Sequence, residues 1–311
     1  MTLTMRTRVM ARHMLFVPFV MLVLLVLLVL HPGIGLAAAV HANELFATPE
    51  AAMTAFGDAV INDNEPELQK LFGSKFRDII PPVGAEVRNE FLTAWGKTHT
   101  VQQKDDRAYI DVGDDGWSFP IPLVKGQKGW QFDTLAGVEE MRVRRVGRNE
   151  LSVIQTMLAI TDAQAEYART IHDGGTVLVY ASKLSSTPGK QDGLYWPTAA
   201  GDPPSPLGPA FSGAGTTHTS KDGYYGYHYK LLNAQGPNAP GGAYSYIVNG
   251  KLFGGFAVLA WPVRYQDTGV MSFMVSHDGQ VYERDLGADS AVKAREIKIF
   301  DPGPGWRKVS P

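Results

Sequence analysis

Ala243-Tyr244-Ser245-Tyr246-Ile247-Val248-Asn249-Gly250-Lys251-Leu252-Phe253-Gly254-Gly255-Phe256-Ala257-Val258-Leu259-Ala260-Trp261-Pro262 is the stretch on which the fold turns. Two runs rich in β-branched and aromatic residues flank Asn249-Gly250. That pair supplies both positive-φ positions of a type I′ turn, so the spacing predicts an antiparallel hairpin, 243–248 against 251–261. Pro262 closes the second run because it has no N–H to give to a ladder. Downstream, Gln266-Asp267-Thr268-Gly269 and His277-Asp278-Gly279-Gln280 are turn clusters that extend the hairpin into strands over 270–276 and 281–283. Upstream, a strand is expected from Tyr224 to Leu232. Gly236-Pro237-Asn238-Ala239-Pro240-Gly241-Gly242 reads as a rigid connector, and Gly254-Gly255 inside an apolar run marks a bulge or a close backbone approach.

Before this meander the period changes. Asn149 suits an N-cap with Glu150 in the first turn, and Leu151, Ile154, Leu158, Thr161 and Ala165 form an apolar stripe at helical spacing, with Met157, Ala168 and Tyr167 beside it. A helix from Asn149 to about Ile171 follows, stopped by Asp173-Gly174-Gly175. Residues 181–222 are rich in Pro and Gly and read as a long loop. The N-terminal half has its own pattern. Thr48-Pro49-Glu50 opens a helix, Leu68 to Phe72 forms a second, and Phe91, Leu92 and Trp95 lie on a third. Strands are expected at 108–112, 117–124 and 130–133, with Pro120 and Pro122 pointing to an edge. Helices followed by meanders make an α+β chain. The expected division is a leader over 1–42, one α+β domain over 43–148 and a helix-plus-meander domain over 149–311.

The leader carries Arg6, Arg8, Arg12 and His13, then an apolar run from Met14 to Leu30, then Leu36-Ala37-Ala38-Ala39-Val40-His41-Ala42. This is the order of a secretory signal peptide, with cleavage expected after Ala42 or Ala39. The expectation is a protein exported to the periplasm or cell envelope; the alternative is an inner-membrane anchor over residues 14–30. The formal net charge of −2 over 311 residues argues against a nucleic-acid binder. Cys is 0, which excludes disulfides, thiolate metal sites and cysteine nucleophiles.

Several motifs together carry a family resemblance. They are Arg145-Val146-Gly147-Arg148-Asn149-Glu150, Asp222-Gly223-Tyr224-Tyr225-Gly226-Tyr227-His228-Tyr229-Lys230-Leu231-Leu232, Gly236-Pro237-Asn238-Ala239-Pro240-Gly241-Gly242-Ala243, Gly254-Gly255-Phe256-Ala257, Ala260-Trp261-Pro262 and Asp278-Gly279 with Val281-Tyr282. Over about Phe46 to Val309 the chain resembles domain-of-unknown-function family 2950, exported bacterial proteins with no established activity. The C-terminal order of helix, loop and meander also resembles the globular half of type IV pilins and pseudopilins. The N-terminal half is similar to nuclear-transport-factor-two-like cones. The leader is separated from the long helix by that N-terminal half, so the pilin resemblance implies a shape and not a filament.

Candidate binding residues fall in two groups. Arg142, Arg144, Arg145 and Arg148 are the densest basic cluster, suited to a carboxylate, phosphate or anionic glycan. Read as a strand, the segment puts Arg142 and Arg144 on one face; the alternative is an ion network with Glu139, Glu140 and Glu150. Tyr225, Tyr227 and Tyr229 alternate on one strand face, a stacking platform or a core face, with Tyr224, His228 and Lys230 on the other. The histidines show no paired ligand spacing, so no metal is expected, and no cofactor fingerprint is present. Phe211-Ser212-Gly213-Ala214-Gly215 lacks the first Gly of a nucleophile elbow. No residue takes a catalytic role in this reading. The expectation is an exported, non-catalytic binding or assembly module whose partner is an envelope protein or a glycan. Its alternative is an envelope hydrolase or isomerase with a pocket in the N-terminal cone or under the 181–222 loop, Asp133 and His99 being its acid and histidine.

Overall fold

A computed structural model describes residues 44–211 and 222–309. The leader and the Ser212-Gly213-Ala214-Gly215 stretch lie outside the described residues. Thr48 caps the first helix, α1 (Pro49–Ile61), by accepting the Ala51 N–H at 3.2 Å, with Pro49 at N1 as expected. Helices α2 (Glu65–Phe72) and α3 (Glu86–Lys97) follow. Four antiparallel strands come next, paired in chain order: β1 (His99–Lys104), β2 (Arg107–Val112), β3 (Leu123–Gly126) and β4 (Gly129–Phe132). The helices cover one face of this sheet. Phe56, Leu68, Leu71, Phe72 and Trp95 meet Ile110, Leu123 and Phe132 in the first core. Strand β1 carries no apolar alternation in the sequence, because its residues are almost all exposed and polar. The return strand expected over 117–124 shrinks to β3. Pro120 and Pro122 cannot donate, and only Ser118 bridges to Asp111.

The long helix corrects the sequence reading. α4 runs without a break from Thr134 to Tyr167, capped by Asp133 Oδ1, which accepts the Ala136 N–H at 3.0 Å. Asn149 is therefore mid-helix and not an N-cap, and the expected boundary at 148–149 falls inside α4. Arg142-Val143-Arg144 is helical and not a strand, so Arg142 and Arg144 leave the helix in different directions. Alternation of Arg and Val imitates a strand period, but Glu139–Arg142 and Glu140–Arg144 have the i,i+3 and i,i+4 spacings that pair on a helix. The helix ends at Tyr167 and not at Ile171. Its buried stripe is shifted toward one side of the expected one. Ile154 is buried as expected, as are Met157 and Tyr167 beside the stripe, and Val153, Ile160 and Gln164 join them, whereas Leu151 is 66% exposed and Ala165 is exposed. Both stripes have a helical period; the sheet beneath selects one.

That sheet is built from β7 (Tyr227–Leu232), β12 (Ala257–Pro262), β13 (Met271–Ser276), β14 (Val281–Asp285) and β15 (Arg307–Lys308), in the order β15-β14-β13-β12-β7. The remaining strands are short: parallel β5 (Lys183–Ser185) and β6 (Gly193–Tyr195), then β8 (Ala234–Gln235), β9 (Tyr244–Ser245), β10 (Ile247–Val248) and β11 (Lys251–Leu252). α5 (Ser290–Glu296) lies between β14 and β15. One face of the five-stranded sheet packs Tyr227, Val258, Ala260, Phe273 and Val275 under α4. The other packs Leu259, Trp261, Met274 and Tyr282 with Ala294 of α5 and Phe300. Burying each large apolar side chain contributes about 1.5–3 kcal/mol, and β12 is buried on both faces along its whole length.

The Asn249-Gly250 hairpin is present, with φ of 49° and 77°, but it holds only β10 and β11. Gly254-Gly255 breaks the second run. Gly255 has φ of 143° and lies so close to His277 and Tyr246 that a Cβ would sit 2.7 Å from the His277 ring. The chain then leaves the hairpin and enters the five-stranded sheet. The molecule is α+β, as expected from its pattern. Among the described residues no helix is long and apolar enough to cross a membrane.

Candidate functional site

The arginines sit where α4 passes the turn between β12 and β13. Arg142 bonds Glu139 at 2.8 Å and reaches the Gln266 carbonyl. Arg145 pairs with Asp267, and Asn149 donates to the Thr268 carbonyl at 2.9 Å. Glu150 Oε1 accepts the N–H groups of Val270 and Met271. Arg144 turns the other way, to Glu140 at 2.7 Å and the Ser118 carbonyl at 2.7 Å. Arg148 is exposed and reaches no acid among the described residues. The cluster is thus divided. Glu139 and Glu140 neutralise it as an ion network would, while Glu150 serves backbone donors instead.

The tyrosines do not form one platform. Tyr227 is fully buried, and its hydroxyl donates to the Met271 carbonyl at 2.9 Å. Burial is the first cause that raises its pKa, followed by the nearby Glu150 carboxylate. Tyr229 packs beside the same core, its hydroxyl donating to the Tyr224 carbonyl at 3.3 Å. Tyr225 lies before the strand, in a turn with φ of 50°, and is exposed. His228 and Lys230 point to the α5 face. Lys230 Nζ donates to the carbonyls of Ala294 and Ile297 at the end of α5. Burial, and then the Arg295 charge, hold His228 below its ordinary pKa.

The edge of β7 is the feature that sequence reading missed. Val263 N–H bonds the Gly226 carbonyl, which fixes the alternation along β7. Lys230 and Leu232 bond β12, while Tyr229 and Leu231 present N–H and C=O on the opposite side. The strand facing that edge is β5. Ser186 N–H bonds the Tyr195 carbonyl, so Leu184 bonds β6 and Lys183 and Ser185 turn their backbone groups toward β7. No hydrogen bond joins the two edges among the described residues. A groove of about 320 Å³ runs along them, lined by Ser182, Lys183, Leu184, Tyr229, Lys230, Leu231 and Asn233.

The β5 wall is held in place. Gln164, fully buried on α4, brackets Ala181 like a neighbouring strand, accepting its N–H at 2.8 Å and donating to its carbonyl at 3.0 Å. Asp192 binds Lys183 Nζ at 2.8 Å and Thr187 N–H at 2.7 Å. Burial raises the Asp192 pKa, but these bonds outweigh it and hold the carboxyl down to about 2. The groove therefore offers fixed backbone donors and acceptors, with Leu184 and Tyr229 beside them. Asp133 and His99 lie elsewhere in structural roles, the first as the α4 cap and the second stacked on Trp95 with ring centroids 4.2 Å apart. Among the described residues no cluster of His, Asp and Glu could hold a metal.

The family model described as "Protein of unknown function (DUF2950)" matches residues 43–309. No curated protein and no solved structure matches the chain.

Proposed function

The chain belongs to the DUF2950 family, and for it we propose an exported binding module of the cell envelope that captures an extended polypeptide segment along the β5–β7 groove. One observation carries this reading: beside Lys183 and Ser185, the outward backbone groups of Tyr229 and Leu231 meet no hydrogen-bond partner among the described residues, and no ladder joins the two strands there. An extended peptide recognises such an edge through its own N–H and C=O groups, with side-chain pockets adding selectivity. The tyrosines favour a peptide over a stacked sugar. Tyr227 is in the core and Tyr225 is off the strand, so no flat aromatic platform is available. The export half of the proposal is supported by the leader's order of basic, apolar and small residues. The helix, loop and meander order, which resembles pilin globular halves, fits an envelope assembly setting.

The test uses the absence of cysteine. Asn233→Cys creates a unique attachment point for a photo-cross-linker at the groove, and Lys128→Cys provides an exposed control on the first sheet. Irradiation in the producing cell should give one recurrent polypeptide adduct at position 233 that is missing at 128. Identical adducts at both positions, or none at 233, would refute capture at the groove.

A further inference from the structure

The two sheets treat their edges differently. Phe46 bridges the outer side of β4 through two backbone bonds to Trp130, and β15 has only two residues. The edge of β7 is flanked by β5. Among the described residues, β1 has no strand along its outer side. Gly113 N–H bonds the Thr98 carbonyl, so Thr100, Gln102 and Lys104 bond β2, whereas His99, Val101 and Gln103 turn N–H and C=O outward. No hydrogen bond meets them there among the described residues. The edge carries no proline, and its one charged side chain stands at its end. Those are the usual means of keeping an edge unpaired.

We propose that β1 is the pairing edge for a second copy of this chain, joined antiparallel about a two-fold axis through Val101. The outward groups are spaced for it. Val101 would face Val101 of the other copy, and His99 would face Gln103, each pair exchanging both backbone bonds. Charge supports the same register. The β1–β2 turn carries Asp105 and Asp106, and the same register sets Asp105 opposite Lys97 of the other copy, the last residue of α3, an exposed ammonium whose partner within its own copy is Asp114 at 3.4 Å. Lys104 would lie opposite Thr98, so no like charges are opposed. The product is one continuous sheet across both copies, with an isologous interface.

The experiment is light scattering with size-exclusion chromatography on the purified protein over a concentration series. The expected result is a concentration-dependent dimer. Val101→Pro removes an outward N–H and leaves the ladder to β2 intact, so it should raise the dimer dissociation constant by about 30-fold or more; Val101 also packs on the first core, so Val101→Ala, which loses that packing but keeps the N–H, is the control and should stay dimeric. Lys97→Glu should weaken the dimer, and Lys97→Glu combined with Asp105→Lys, the residue that this register sets opposite it, should restore it. A monomer at every concentration up to about 100 µM, well above the micromolar affinity range, overturns the proposal. So does a dimer that folded Val101→Pro leaves unchanged. If Val101→Pro fails to fold, the charge pair decides: a dimer indifferent to Lys97→Glu counts against β1, and rescue by the double variant supports it.

Discussion

Glu150 Oε1 accepts the Met271 N–H at 2.9 Å, across 121 positions of chain, and takes the Val270 N–H at 2.8 Å with the same oxygen. A carboxylate on α4 thereby anchors the start of β13. Arg145 to Asp267 and Asn149 to the Thr268 carbonyl grip the turn just before it. The motif Arg145-Val146-Gly147-Arg148-Asn149-Glu150 is thus a helix-to-sheet clasp, and this accounts for the company its residues keep.

Loss of that oxygen leaves two backbone donors without a partner. Glu150→Ala should destabilise the fold by about 2–3 kcal/mol, and Glu150→Gln, which keeps an acceptor, by about 1 kcal/mol. Urea unfolding of both variants measures the difference. Equal losses would mean that the carboxylate charge, and not the acceptor position, holds the turn.

Tyr227 is a core side chain with one polar bond. Tyr227→Ala should cost about 3–5 kcal/mol and Tyr227→Phe about 1 kcal/mol. Gly269→Ala should also be costly, because its Cβ would run into the Tyr227 hydroxyl. The pairing is diagnostic: Tyr227→Phe should partly relieve Gly269→Ala, which a thermal double-mutant cycle would show.

Gln164 holds the start of the β5 wall. Gln164→Leu keeps the volume but strands the Ala181 N–H and C=O, an expected loss of about 1–3 kcal/mol. Hydrogen exchange should speed up at Ala181 and Leu184 while α4 stays protected. Uniform acceleration along α4 would argue instead for a general packing defect.

The Asp192 carboxyl has its pKa lowered from 3.8 to about 2. A group depressed on folding contributes its stability fully above the unfolded pKa and loses it as pH falls through the folded one. The 186–192 turn should therefore loosen between about pH 4 and pH 2. Limited pepsin digestion across that window should cut this turn progressively, and Asp192→Asn should be cut throughout with no pH step.

The sequence by itself determined the elements whose signals are local. Thr48 with Pro49, Asn249-Gly250 with its two left-handed residues, and the turns at 266–269 and 277–280 all depend on backbone preferences of the residues present. So did the family, through long motifs, and the α+β class, through the change of period. The course of α4 was not legible. Asp133 and Asn149 are equally good caps by composition, and what marks residues 134–148 as helix is tertiary: Gly137 against Ile121, Met141 on the first core, and the contacts with Ser118, Gln266 and Asp267. The buried stripe was legible only in part for the same reason, since the sheet determines which side of the helix is buried. The two open edges lay further still from sequence, because an unpaired N–H differs from a paired one only in what stands opposite. Polar β1 and the outward groups of Tyr229 and Leu231 became open edges through pairing partners distant in the chain. Local sterics are written residue by residue; the choice of face, edge and neighbour is a competition among distant surfaces, and only the assembled fold decides it.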